Sequence, residues 1–405
     1  MAHTYVYQVR DNRGKAQTGE IEAEDHDTAV LRLRQNGFIV TKMEKKTVAP
    51  TVEDAWANLR SVSLKDLSIF ARQFSTMVGA GVSLVKCLAI LSDQTVNVKL
   101  KTALEEVRYE VESGTALSFA LAKHKNIFPH IMITMIRAGE AGGVLDEVLE
   151  RLAEHFEKEH ELREKIKSAT RYPMIVLVFA VLVIIVLFTF VLPSFEKMFQ
   201  SSSAELPTIT KIILGIGHFM QANIWWILIV LVAGVIALVK YLGTSEGKEQ
   251  FDRFVVNVPV FGPLAIKVGI ARVSRTLATL LHSGVPIVQA IEVAHQTAGN
   301  VVISNALLQV RESIAKGQGM AGPLQQSGVF PAMVTQMIAV GEETGSMDTM
   351  LTKVADFYDK EVKYMTDNLS TLIEPFLVLF LGIVVGFIVI SIMLPMAELS
   401  TSPGI

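Results

Sequence analysis

The chain has 405 residues, room for two or three domains at the usual ~150 residues each. Half of the residues are hydrophobic and the mean hydropathy is positive, a balance that excludes a wholly water-exposed protein and requires part of the chain to sit in lipid. A net charge of −3 argues against a nucleic-acid partner, which needs a basic face or stripe, and the single Cys87 excludes an internal disulfide framework and fits a reducing cytoplasm.

Residues 1 to 43 read as a small α+β module of ββαβ order. "TYVYQVR" alternates like a strand, "DNRG" is a turn, "QTGEIEAE" pairs back, "DTAVLRLRQNG" is a short helix closed at Gly37, and "FIVTKM" is a third strand. No apolar core marks residues 1 to 20, so no cleavable signal peptide is expected. Residues 44 to 62 form a linker.

A cytoplasmic helical domain follows, residues 63 to 171. Ser63-x-x-Asp66 predicts a capping box on a helix that stops near Gly79 to Gly81. Phe128-Pro129 opens another helix, and Gly139 is expected to close it in a left-handed conformation. Glu140 then lies just before the next helix, where its carboxylate meets free backbone N–H groups and the positive end of the dipole. Gly143 completes the turn. Partner or ion binding by this exposed corner stays open beside the capping role. The next helix carries a core-facing stripe of Val144, Leu145, Val148, Leu149, Leu152, Ala153 and Phe156, and its continuation "EKEHELREKIK" reads as solvated helix.

Three apolar runs have spanning length or close to it. Residues 172 to 193 and 373 to 395 hold roughly 20 uncharged residues each, and residues 224 to 242 are framed by Trp225 and Trp226 at one end and Lys240 and Tyr241 at the other. "ITKIILGIGHFM" in the loop 194 to 223 is too short and carries Lys211 and His218. Arg163, Lys165, Lys167 and Arg171 before the first span, and Lys240, Lys248 and Arg253 after the second, place the N-terminus in the cytoplasm. The loop and the tail, 396 to 405, are then periplasmic.

The second cytoplasmic domain, residues 243 to 372, repeats the first. Arg72 matches Arg275 at a spacing of 203 and Gly81-Val82 matches Gly284-Val285; one residue is then lost, and Phe128-Pro129 matches Phe330-Pro331. Gly139, Glu140 and Gly143 recur as Gly341, Glu342 and Gly345, and Pro173 and Pro193 recur as Pro375 and Pro395. The predicted class is therefore mainly α: a membrane protein with two repeated helical bundles, three transmembrane helices and a small ββαβ module.

Motifs for chemistry fail on inspection. "GTSEGKEQ" lacks the spacing and hydroxyl of a P-loop, and "GQGMAG" follows a helix and meets Pro323 rather than opening a βαβ unit. The nine histidines show no metal spacing, so no cofactor is expected and metal binding is left open. Within the last span, Gly382 and Gly386 share a face suited to close helix packing, and Glu374 is an acidic group at the span edge. A small-solute transporter subunit is the rival reading, but both repeats point the same way and the span centres are almost free of polar residues.

Taken together, "DNRGKAQTGEIEAED", "FARQFSTMVGAGVSL", the twin "GEAGG" and "GEETG" turns and the proline-bracketed spans resemble the inner-membrane platform family of type II secretion F proteins and type IV pilus assembly C proteins. Mannose-sensitive haemagglutinin-type pilus biogenesis proteins are one branch the resemblance leaves open. It implies a non-enzymatic oligomeric hub in the bilayer that engages a hexameric cytoplasmic assembly ATPase, pilins or pseudopilins, and other inner-membrane assembly components.

Overall fold

The computed structural model describes residues 3–10, 16–23, 28, 39–45, 61–191 and 208–401, in two compact units: residues 1–61 with 97–99, and the remainder. The first unit holds β1 (His3–Arg10), β2 (Ala16–Ala23) and β3 (Ile39–Lys45) in an antiparallel sheet of order β2-β1-β3, with Tyr5 opposite Ile21 and Lys45. The helix expected at 27 to 37 lies outside the described residues except for Thr28, and the ββαβ arrangement as a whole is not supported. What stands is the three-stranded sheet.

The second unit is helical among its described residues. The first repeat contains α1 (Leu64–Gly79), α2 (Leu84–Gln94), α3 (Val98–Glu112), α4 (Leu117–Ala122), α5 (His130–Gly142) and α6 (Leu145–Val186). The capping box forms as expected: Ser63 Oγ accepts from Asp66 N at 3.2 Å, and Ser63 N donates to Asp66 Oδ2 at 2.9 Å. At the other end of α1, Gly81 takes φ +80° and Val82 N reaches back to Met77 O at 3.0 Å, a glycine-dependent stop that Gly284 and Val285 repeat.

Next comes α7 (Thr208–Leu242), which breaks at Asn223, where φ −116° and ψ 17° leave the helical region. This break separates the Lys211–His218 segment from the apolar run after it. The second repeat follows as α8 (Ser245–Asn257), α9 (Phe261–His282), α10 (Ile287–Thr297), α11 (Val301–Ala315), α12 (Ala321–Gln326), α13 (Ala332–Thr344) and α14 (Met347–Thr401). Within it α9 packs on α14 as α1 packs on α6, and α6 and α14 pack on each other.

The stripe read from the sequence is core. Val148, Leu149, Leu152, Ala153 and Phe156 are buried on α6, as are Leu351, Val354, Ala355 and Tyr358 on α14, whereas Val144 is 43% exposed. Both repeats contribute to one continuous cluster, from Leu67 and Phe74 to Val354 and Tyr358. Each repeat alone would leave the part of that apolar surface between α6 and α14 in water.

Among the described residues, two helices are long and apolar enough to cross a membrane, within Leu145–Thr189 and Trp225–Leu242. Their apolar windows are 6% and 0% buried against the rest of the chain. Side chains such as Phe179, Val230 and Leu231 point outward, which suits a lipid solvent rather than water. α6 passes through Pro173 into its apolar half, and α14 is helical without a break through the third apolar run, whose described core is Val378–Phe387.

Candidate functional site

The twin corners differ from expectation in which glycine bends the chain. Gly139 and Gly341 do not close their helices; both are buried inside them, and the left-handed residues are Gly143, φ 69°, and Gly345, φ 68°. Val144 N and Ser346 N return to the carbonyls of Gly139 and Gly341 at 3.0 and 3.1 Å. The inner glycines serve close approach instead. A Cβ on Gly139 would stand 3.0 Å from Val148 Cγ2, and one on Gly341 would stand 3.1 Å from Met347 Cα.

The glutamates also cap a different helix from the one expected. Glu140 accepts from Ser118 N at 3.4 and 3.3 Å, at the start of the short α4, rather than capping α6. Glu342 accepts from Met320 N and from Ala321 N, the latter at 3.4 Å, at the start of α12. Each corner therefore ties the end of a long helix to a six-residue helix 22 positions upstream. The second copy also accounts for "GQGMAG". Gly317 is a positive-φ residue after α11, and a Cβ on Gly319 would stand 2.8 Å from Glu342 Oε2, so Gly317 serves the turn and Gly319 makes room for a carboxylate of the chain itself.

Arg72 and Arg275 join the helices behind the corners. Arg72 forks onto Glu157 through Nε and Nη2, both at 2.6 Å, and its Nη1 reaches Glu150 Oε1 at 2.5 Å. Ser75 Oγ donates to Glu150 Oε2 at 2.7 Å. The hydrogen bond from Arg72 holds Glu157 below the usual carboxylate range; Glu150 is lowered by Ser75 first and then by Arg72.

Arg275 pairs with Asp359, the residue at the register of Glu157 in the second copy, so the ion pair is repeated with the fold. Arg275 is far more buried than Arg72 and also looks across the repeat boundary. Its Nη1 lies 3.9 Å from Glu159 Oε2, while Arg272 Nη2 meets Glu159 Oε1 at 2.7 Å. His155, fully buried beside these arginines, is depressed to about 3 by burial and then by the charges of Arg275 and Arg272, and stays neutral. A cleft of about 590 Å³ opens beside this network, bounded by Arg72, His155, Glu157, Arg275, Thr279 and His282.

These contacts correct the reading of 157 to 167 as purely solvated helix: Glu157 and Glu159 are bound to arginines, and Leu162 is buried. Glu150, Glu157, Glu159, Arg272 and Asp359 were not singled out from the sequence. The usable signal was the matched register of Arg72 with Arg275 and of Glu157 with Asp359. Among the described residues no set of three His, Cys, Asp or Glu side chains gathers as a metal site. The ion pairs position helices and are not arranged as a nucleophile and its base.

In the apolar half, Pro173 and Pro375 lie within α6 and α14, and a Cβ on Gly382 or Gly386 would meet nothing within 4 Å. Their face is not packed by the described residues of this chain. The side chain of Glu374 lies outside the described residues.

Comparison with known proteins gives the same duplication. The type II secretion system protein F model matches twice, at residues 70–193 and 273–395, and the N-terminal domain model of the same family matches residues 1–44. The chain is 43% identical over 397 residues to the type IV pilus assembly protein PilC of Thermus thermophilus, covering 98% of both chains. It is 40% identical over 396 residues to that of Myxococcus xanthus, covering 98% of this chain and 95% of the relative. Against the type II secretion system protein F of Xanthomonas campestris pv. campestris it is 32% identical over 410 residues, covering 99% of both. With its two matched repeats and its matched N-terminal segment, the chain belongs to the type II secretion system protein F family.

Proposed function

We propose that this protein is an inner-membrane platform, not an enzyme, that couples a cytoplasmic hexameric assembly ATPase to polymerisation of pilins or pseudopilins. The observation that carries this reading is the pairing of two bundles, fused through one core, with α6 and α14, each of which runs unbroken from a bundle into an apolar segment. That build suits mechanical coupling across a membrane surface, and among the described residues no metal cluster gathers. Type IV pilus assembly is the favoured setting, because relatives of that name reach 43% and 40% identity and the secretion relative 32%.

In this reading residues 172 to 193, 224 to 242 and 373 to 395 span the bilayer, residues 63 to 171 and 243 to 372 form the cytoplasmic domains, and the basic residues before the first span keep the N-terminus cytoplasmic. The corners with Glu140 and Glu342 remain candidates for contact with the ATPase or other inner-membrane components. The unpacked Gly382 and Gly386 face is a contact between copies of the chain.

The test is deletion of the gene in its host with plasmid complementation, scoring surface filaments by electron microscopy beside extracellular enzyme secretion. Loss of filaments with secretion intact is expected; loss of secretion alone would move the protein to a secretion machine. Survival of both, in a host without a second copy, would overturn the platform reading.

A further inference from the structure

Helix α8 starts three residues after the apolar run of α7 ends, and its faces are used in reverse. Its Asp252 is buried: the carboxylate accepts from Val301 N at 2.9 Å, and Asn300 Nδ2 donates to Asp252 O at 3.2 Å. Phe251 and Phe254, three residues apart and so on one side of the helix, are 46% and 65% exposed. A helix facing only water and its own core would be expected to bury the phenylalanines and release the aspartate.

Both ends of α8 are held. At its start, Tyr241 Oη donates to Gln250 Oε1 at 2.8 Å, and Gly247 lies so close to the last turn of α7 that a Cβ would stand 2.1 Å from Tyr241 O. At its end, Phe261 N donates to Pro259 O at 2.9 Å around Val260, whose φ 71° and ψ −51° make a three-residue γ-turn with a positive φ on a β-branched residue. That conformation is strained for valine and persists only when its surroundings enforce it. Gly262 is pressed against Val256 O, and α9 leaves at 111° to α8. The backbone thus fixes α8 at the end of α7, with its aromatic side uncovered.

We infer that α8 is a membrane-surface anchor whose Phe251 and Phe254 enter the headgroup and upper acyl region and set the height of the second repeat on the bilayer. Continuity with α7 identifies the occupant. Thirteen helical residues reach about 20 Å at ~1.5 Å per residue, and the tie from Gln250 to Tyr241 keeps α8 nearer than that to the end of the span. A helix with low overall hydrophobicity and aromatic residues on its apolar side lies in the interfacial plane, and Lys240 and Lys248 suit anionic headgroups there. The inference rests on the reading of Trp225–Leu242 as a span.

The test places a nitroxide on Phe251→Cys or Phe254→Cys in the full chain, reconstituted in vesicles of phosphatidylcholine with a minority of phosphatidylglycerol. Collision with oxygen is compared with collision with a water-soluble nickel chelate. The wild-type chain, whose only thiol, Cys87, is buried, sets the background labelling. Arg253→Cys marks the water side of α8 and Leu231→Cys the interior of the span. Oxygen is expected to exceed nickel several-fold at 251, 254 and 231, with the reverse at 253. Nickel access at 251 and 254 with lipid access at 231 overturns the anchor and leaves the span reading intact. Shielding from both reagents at 254 means that protein covers this face, and overturns the anchor equally. Nickel access at 231 removes the span and the inference with it. If labelling at 251 unfolds the chain, Phe254→Cys, the more exposed position, decides alone.

Discussion

Gly139 and Gly341 show how one hydrogen atom sets a helix corner. Gly139→Ala puts a Cβ 3.0 Å from Val148 Cγ2 and 3.3 Å from Leu145 Cα, so the start of α6 must shift. Overpacking of this kind costs about 1–3 kcal/mol, read as a lower melting temperature of the detergent-solubilised chain. Glu342→Ala removes the cap from α12 and is expected to cost about 1 kcal/mol in the same assay. His155 makes a separate prediction. Its folded-state pKa, about 3, lies below the ordinary 6.5, so the unfolded chain binds the proton first and stability is lost as pH falls from 6.5 towards 3. Between pH 7 and pH 5 that loss amounts to about 2 kcal/mol. The second copy carries Phe357 at this register, and His155→Phe is expected to flatten the pH dependence of denaturant unfolding over that window. An unchanged slope would show that another group titrates there.

At the scale of elements, Arg72 and Arg275 occupy the same place in two copies of one helix pair with different consequences. Arg72 and Glu157 are more than a third exposed, so Arg72→Gln is expected to cost no more than about 1 kcal/mol despite the forked geometry. Glu157 has a lowered pKa, so that contribution is present above the ordinary carboxylate range and disappears as pH falls through the folded-state value; comparing acid unfolding of the variant and the parent checks it. What was legible in the sequence divides along the same line. The Ser63–Asp66 box and the Phe-Pro starts depend on neighbours within a few positions, and each lies where its residues place it, whereas residues 209 to 220, read as loop, are helical up to the kink at Asn223. The carboxylates of Glu140 and Glu342 turn back 22 residues, and Glu159 finds Arg272 across the repeat boundary. No local pattern carries the direction of such a side chain, which is why the cap was assigned to the wrong helix and "EKEHELREKIK" to solvent.

At the scale of the molecule, the two repeats are one folding unit. Glu159 is largely buried between Arg272 and Arg275, and Glu159→Ala takes the carboxylate from Arg272 while Arg275 keeps Asp359, a loss of about 3 kcal/mol. A double-mutant cycle with Arg272→Ala is expected to be strongly non-additive; simple additivity would remove Glu159 as the link between repeats. The shared core has a further consequence in time. A ribosome working at ~5–20 residues per second needs about 10–40 s to travel from Glu159 to Asp359. Throughout that interval α1 and α5 can already cover part of α6, but its face toward α9 and α14, with His155 and Glu159, has no partner, because that surface has not been synthesised. Ribosome-bound chains halted near residue 250 are therefore expected to be cut by protease within the first repeat, and chains halted past the exit tunnel beyond residue 401 to resist. A half-made bundle is thus expected to need protection before its twin arrives, because part of the shared core is missing until then.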